Sequence, residues 1–172
     1  MRWLAGFRDW LSSLRPDRGD PEAVAEKRRI WQTLAGRHGL THTPGAHAGY
    51  FQDDRIEGRI DGRDVRAVIF AAYDLQKLVV TVSAACEAAA PTGRAEHVEL
   101  VRWYEARRRA ADLPPIRSDD APWAKELLVG IVFLDERRLV YEELYGIDEA
   151  RLALVLEKLP AWADLLERAA LI

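Results

Sequence analysis

The sequence predicts an α+β fold, with a five-strand antiparallel sheet and helices packed on it. The expected order along the chain is α-β-β-β-α-β-β-α, preceded by an N-terminal amphipathic helix. Three observations carry this. Residues 55–70, RIEGRIDGRDVRAVIF, are two alternating runs around Asp61-Gly62. Residues 126–134 (ELLVGIVFL) and 138–144 (RLVYEEL) are a second pair of strand-like runs around Asp135-Glu136-Arg137. Leu152, Val155, Leu156, Leu159, Trp162, Leu165, Leu166 and Ala169 form a stripe of helical period.

Residues 2–14 are the first element. Trp3, Phe7, Trp10 and Leu14 recur at helical spacing with Leu4 and Leu11 alongside, while Arg2, Arg8, Asp9, Ser12 and Ser13 occupy the rest. Residues 15–20, RPDRGD, read as a linker. Residues 21–172 then form a single α+β domain. Asp20 suits the N-cap of its first helix, Pro21 the first helical position and Glu22 the first turn. That helix runs to about His38, burying Val24, Ile30, Trp31 and Leu34, and Gly39 is its expected stop. Residues 40–54 read as a loop, with room for a short edge strand.

The hairpin at 55–70 is the clearest signal. A two-residue type I′ turn needs positive φ at both central positions, which Asp-Gly tolerates. With that turn, Ile60 faces Arg63, Arg59 faces Asp64, Glu57 faces Arg66 and Ile56 faces Ala67. Glu57, Arg59, Asp64 and Arg66 then share a wet face. Ile56, Ile60, Val65 and Ala67 share a core face, continued by Ile69. A slip of one residue would mix the two, so the register is well specified.

A third strand is expected at about 77–85, and a helix from about Arg94 to Ala111 with Val98, Val101 and either Tyr104 or Trp103 inward. Pro114-Pro115 ends it, and residues 113–124 read as irregular. The second hairpin leads through Gly146 and Asp148 to the last helix. Pro160 lies inside that helix, where its missing N–H and ring clash should kink or split it.

This element order, three strands, a helix and two strands between flanking helices over residues 21–170, resembles the type III secretion chaperone-like fold. Bacterial proteins of uncertain function share that fold. The resemblance implies homodimers that hold unfolded partner segments on sheet edges and apolar grooves. The chain departs from the pattern in its net charge of −3, its Trp-rich N-terminal helix and its long loop at 113–125.

Composition narrows the classes. With 49% hydrophobic and 31% charged residues the chain is an ordinary globular one. A net charge of −3 lacks the basic surplus of a nucleic-acid binder. Four of its 25 basic residues are lysine (Lys27, Lys77, Lys125, Lys158), which leaves 21 arginines. Beside so much alanine this reads as the coding bias of a GC-rich bacterium. Cys86 is the single cysteine, so no intrachain disulfide forms. It reads as a small buried residue in an apolar strand. No apolar run approaches the ~20 residues of a membrane span. Arg8 and Asp9 interrupt any signal-like hydrophobic region, so the expected address is the cytoplasm, with the inner membrane surface as an extension.

Catalytic and metal-binding patterns are sparse. His38, His42 and His47 cluster as H-x3-H-x4-H, and Asp53 or Asp54 would complete a ligand set. Without HExxH or cysteine ligands, exposed loop histidines are the expectation, and no metal or cofactor is assigned. His97 stands alone. Asp53-Asp54 and Glu142-Glu143 read as solvated turns or edges, since strand neighbours point to opposite faces. No nucleophile elbow or phosphate loop appears. Arg102, Arg107, Arg108 and Arg109 make a basic patch on the middle helix, read as a solvated face. Trp31, Trp103 and Trp162 suit the core, and Trp123 its edge.

The expected function is therefore non-enzymatic protein binding, chaperone- or adaptor-like, with Trp3, Phe7, Trp10 and Leu14 as partner-binding residues. The N-terminal helix has three places to dock, its own sheet, a partner groove or a membrane interface, and residues 1–16 are expected to be dispensable for folding and needed for the interaction. A homodimer is an allowed state, and nucleic acid is not an expected partner. Two alternatives stand: a membrane-surface accessory protein anchored by residues 2–14, and an enzyme or metal-binding protein using the His42/His47 loop.

Overall fold

Helix α1 (Pro21–Arg37) opens and closes on the signals its sequence carries. Pro21 holds the first position and Glu22 the first turn, where Pro forfeits no hydrogen bond and a carboxylate meets the positive dipole end. At the other end Gly39 takes a φ of 66°. The Leu40 N–H then donates to the Ala35 carbonyl at 2.8 Å and the Gly39 N–H to the Gly36 carbonyl at 3.2 Å. A residue without Cβ takes that φ without strain, so the chain leaves the helix there. This computed structural model describes residues 21–46, 53–72, 75–86, 90, 97–114, 130–144 and 149–171. Trp3, Phe7, Trp10 and Leu14, the linker 15–20, His47 and Trp123 lie outside them, as does most of the loop 113–125.

Among the described residues, six strands form one antiparallel sheet. They are β1 (Thr41–Thr43), β2 (Arg55–Ile60), β3 (Arg63–Ala72), β4 (Leu75–Ser83), β5 (Ile131–Asp135) and β6 (Arg138–Leu144), in the order β1-β2-β3-β4-β6-β5. The α+β class and the antiparallel sheet agree with the sequence reading, but the count of five strands is corrected to six. Thr41–Thr43 pairs with Arg55–Glu57 at the sheet's edge. Three residues are too few to show a period of two, so this strand leaves no pattern. Between β4 and β5 the chain forms helix α2 (His97–Ala110), and β5 returns to β6 through Glu136 and Arg137. Helix α3 (Glu149–Ala170) follows.

The β2–β3 hairpin has the expected register throughout, Ile60 to Arg63 and Ile56 to Ala67. Asp61 and Gly62 take φ of 50° and 82°, the two positive values a type I′ turn requires. The strand β4 begins two residues earlier than expected, while helix α2 is described from His97 and the expected start at Arg94 lies outside the described residues. The β4 difference is an end effect with no bearing on the faces.

Helix α3 is continuous through Pro160, so the expected split does not occur. Leu152, Val155, Leu156 and Leu159 are buried before the proline, and Trp162, Ala163, Leu166 and Ala169 after it. Burying each large apolar side chain is worth roughly 1.5–3 kcal/mol. Together these outweigh the interior proline's cost of about 3 kcal/mol.

The core lies on one face of the sheet. Ile56, Val65, Ala67, Ile69, Leu78, Val80, Val82, Leu139 and Tyr141 join the buried residues of all three described helices in one cluster. Trp31, Tyr104 and Trp162 are buried in it and Trp103 packs partly against it. At one end Arg63, which faces Ile60, ties the hairpin to α3. It donates to Asp164 at 2.9 Å through Nε, to Glu167 at 2.8 Å through Nη1 and to the Ser83 carbonyl at 2.9 Å. Glu167 also accepts the Ala85 N–H.

Candidate functional site

Two features outside ordinary core packing are candidates: a buried ionic cluster at Asp54 and the second face of the sheet. The cluster follows from strand and helix period. Asp54 lies two residues before Ile56 and so on the same face, turned to the core. Asp53, at φ 59°, makes the corner into the strand. Its N–H donates to the Ile69 carbonyl at 2.8 Å, and the Ile69 N–H donates to the Asp54 carbonyl at 3.1 Å. His42 stands opposite Ile56 in the β1–β2 register, again on the inner face. Arg28 lies four residues after Val24 and three before Trp31, on the buried stripe of α1.

These three side chains meet. Arg28 Nε and Nη2 donate to Asp54 Oδ1 and Oδ2 at 3.0 and 3.2 Å, and Nη2 also reaches the Gly45 carbonyl at 3.2 Å. His42 Nε2 lies 3.1 Å from Asp54 Oδ1, and Trp31 presents an edge to the His42 ring at 6.3 Å between centroids. Side-chain exposure is 0% for Asp54 and 6% for His42. Asp53 is exposed as expected, but the solvated reading of Asp54 and the exposed-loop reading of His42 are corrected. The partner that sequence reasoning missed is Arg28. Its signal was a charged residue at a buried position of a helical stripe.

The cluster's chemistry is that of a clamp. Both carboxylate oxygens are taken by a guanidinium, which fills the place a divalent cation would want. The carboxylate has 0% of its side chain exposed. Among the described residues no group of three or more His, Cys, Asp or Glu is placed to hold a metal ion.

A second buried acid lies on the inner face of β6. Tyr141 Oη donates to Glu143 Oε2 at 2.6 Å, and Arg151 Nε stands 3.9 Å from that oxygen. Burial first, and this hydrogen bond second, push the Tyr141 hydroxyl's pKa upward. Glu143 is 4% exposed, which corrects the solvated reading of Glu142-Glu143. The two do point to opposite faces, since Glu142 pairs with Lys77 at 2.8 Å on the outer side. The arginines of α2 also have local work. Arg107 and Arg108 stack near Trp103 and Tyr104 at 5.7 and 5.8 Å, and Arg108 donates to the Pro114 carbonyl.

The outer face divides into two halves. Glu57, Arg59, Asp64 and Arg66 form a charged half beside Thr81, Arg137 and Arg138, as the hairpin predicted. The other half is mainly apolar, around the Lys77–Glu142 ion pair. Val68 lies beside Val79 and Phe70 beside Lys77. Val79 pairs with Glu142, and Lys77 with Leu144. Phe133 pairs with Val140 and Ile131 with Glu142. Phe70, Ile131 and Leu144 are large exposed hydrophobics. Val68, Phe133 and Val140 are buried, yet none of them belongs to the helical core cluster. The sequence reading extended a wet outer face from the hairpin and missed this change.

No protein-family model matches the chain, and no curated protein matches it. No described helix is long and apolar enough to cross a membrane.

Proposed function

We propose that this chain is a non-enzymatic protein-binding module, chaperone- or adaptor-like, of the bacterial cytoplasm. Its partner surfaces are the apolar half of the outer sheet face and the stripe Trp3, Phe7, Trp10 and Leu14. The observation that carries this reading is the face itself: a contiguous apolar surface spanning β3, β4, β6 and β5, outside the helical core. Contiguous apolar patches of this kind, rimmed by charge, mark interaction sites. The enclosure of Asp54 by Arg28 and His42 further supports a role without catalysis, since the likeliest acid of the histidine loop is engaged in packing.

The test is affinity capture from the native organism with three baits: wild type, Val79→Asp, and Trp3→Ala/Trp10→Ala. A stoichiometric partner lost with Val79→Asp, while circular dichroism stays native, is the expected result. An identical partner set from wild type and Val79→Asp would refute the outer face as the binding surface.

A further inference from the structure

The charged half of the outer face carries more guanidinium than its own acids engage. Glu57 stands opposite Arg66 in the hairpin register, yet it pairs with Arg55, whose Nε lies 3.6 Å from Oε1. Asp64 pairs with Arg59 at 3.4 Å. Asp135 stands opposite Arg138 in the β5–β6 register without bonding to it. Among the described residues, the guanidinium groups of Arg66, Arg137 and Arg138 have neither an ion pair nor a hydrogen-bond acceptor.

Strand order gathers these three arginines. With Thr81 and Ser83 they line a concavity of about 570 Å³. Arg66 on β3 lies beside Thr81 on β4, and Arg138 on β6 lies beside Ser83 on β4. Arg137 is fixed at the same end, where its carbonyl accepts the Ala84 N–H at 2.8 Å. Ser83 Oγ accepts the Asp64 N–H at 3.0 Å, which leaves its own proton to donate. Guanidinium walls around a hydroxyl floor suit carboxylates. Arg66 and Arg138 rise from strands about 10 Å apart, with β4 between them. That span fits single charges spaced along a chain better than one compact dianion. Glu57 and Asp64 in the same half repel a uniformly charged polymer. The apolar half adjoins directly. Val140 lies beside Thr81, and Val68 follows Arg66 on the outer side of β3.

We propose that the outer face takes a segment of a partner protein in which Asp and Glu residues adjoin apolar ones. The carboxylates bond Arg66, Arg137 and Arg138 over Thr81 and Ser83, and the apolar residues cover Val79, Val140, Phe70 and Leu144. This rests on the reading of that face as a binding surface and adds the chemistry and direction of what binds. From Ser83 to Lys77 the face runs about 20 Å along β4, so about six residues of an extended segment join its acidic end to its apolar end. Lys77 and Glu142 satisfy each other at 2.8 Å within the apolar half and call for no outside charge there.

The test uses the full chain and two short fluorescent peptides. One carries a run of Asp and Glu followed by a run of Leu, Val and Phe, and the other has Asn and Gln in place of the acids. Anisotropy titration at low salt should show the acidic peptide binding about tenfold more tightly, the scale of a few solvent-exposed ion pairs together. Rising salt should erase that difference. Arg66→Gln/Arg138→Gln should erase it too, leaving the amide peptide's binding and the melting temperature unchanged. Phe70→Ser/Leu144→Ser, at two exposed positions, should weaken both peptides. Equal binding of the two peptides by wild type, a preference that survives Arg66→Gln/Arg138→Gln, or binding of neither peptide overturns the proposal. So does an oligonucleotide that binds more tightly than the acidic peptide. Equal binding that Phe70→Ser/Leu144→Ser still weakens would uphold the apolar face and sink only its choice of acidic partners. Binding that this variant leaves untouched would sink the face as well.

Discussion

Arg28 holds both carboxylate oxygens of Asp54, at 3.0 and 3.2 Å, across the boundary between helix α1 and the edge of the sheet. Asp54 is fully buried and Arg28 partly so, with 20% of its side chain exposed. A buried pair is costly to break, because the surviving charge is left desolvated and alone. Asp54→Ala should therefore lower stability by about 3–5 kcal/mol in denaturant unfolding. The double variant Arg28→Met/Asp54→Leu should lose much less, since no charge is stranded. Equal losses for the two would show that the pair is not the origin of the effect.

Arg63 and Glu167 give the acid side of the stability profile. The Arg63 guanidinium, chiefly through its hydrogen bond, holds the Glu167 carboxyl below its ordinary value of 4.5, and the Ala85 N–H adds to this. A depressed folded-state pKa contributes stability that is present above the unfolded value. It is lost as pH falls through the folded value. Thermal melting of wild type should thus drop below pH 4.5 more steeply than that of Glu167→Gln, which starts lower at neutral pH. Because a quarter of the Glu167 side chain is exposed, solvent screening keeps the difference modest. Parallel acid limbs for the two proteins would exclude Glu167 as a contributor.

The Asp61-Gly62 turn is open to a direct check. Gly62 has a φ of 82° and no atom within 4 Å of where a Cβ would stand, so only backbone conformation opposes a side chain there. Gly62→Val should lower stability by roughly 1–2 kcal/mol, the cost of a left-handed conformation. Gly62→Asn should lose less, as Asn tolerates that region. If both melt like wild type, the turn is not under the constraint its dihedrals imply.

What was legible in the sequence was what repeats. The β2–β3 register, the α3 stripe and the α1 ends each rest on several residues in phase, and each is seen in the structure. What stayed hidden was either short or mixed. Thr41–Thr43 is too brief to alternate. Asp54, Glu143 and Arg28 are charged residues at inward positions, and composition assigns such residues to water until a partner appears from elsewhere in the chain. The outer face was hidden for another reason. Val68, Phe70 and Val79 read as the continuation of strands whose charged ends had already been assigned, and Val140 and Phe133 come from a hairpin far away in sequence. Only the strand order, with β6 inserted between β4 and β5, gathers these five into one surface. Residues 2–14 could be read as an amphipathic segment, and they lie outside the described residues.

Cys86 should behave as an inert thiol. It is 8% exposed, and burial is the main reason its pKa rises to about 11, with the nearby Glu167 charge adding to it. Alkylation at pH 8 should be slow in native protein and fast in denaturant, followed by mass spectrometry. The thiolate is the reactive form, so rapid native labelling would mean that this end of the sheet opens readily.

Removal of residues 1–16 separates the two roles open to them. Among the described residues the core cluster runs from Val24 to Ala169, so the truncated chain should still unfold in one cooperative step. It should do so at a denaturant midpoint close to that of the full chain, as residues dispensable for folding require. The outer face, with Phe70, Ile131 and Leu144 exposed, should bind a hydrophobic dye and promote self-association. Val79→Asp in the truncated chain should suppress both, since a charge in the middle of the patch opposes apolar contact. A large loss of stability on truncation, with the partner set unchanged, would return residues 1–16 to the core.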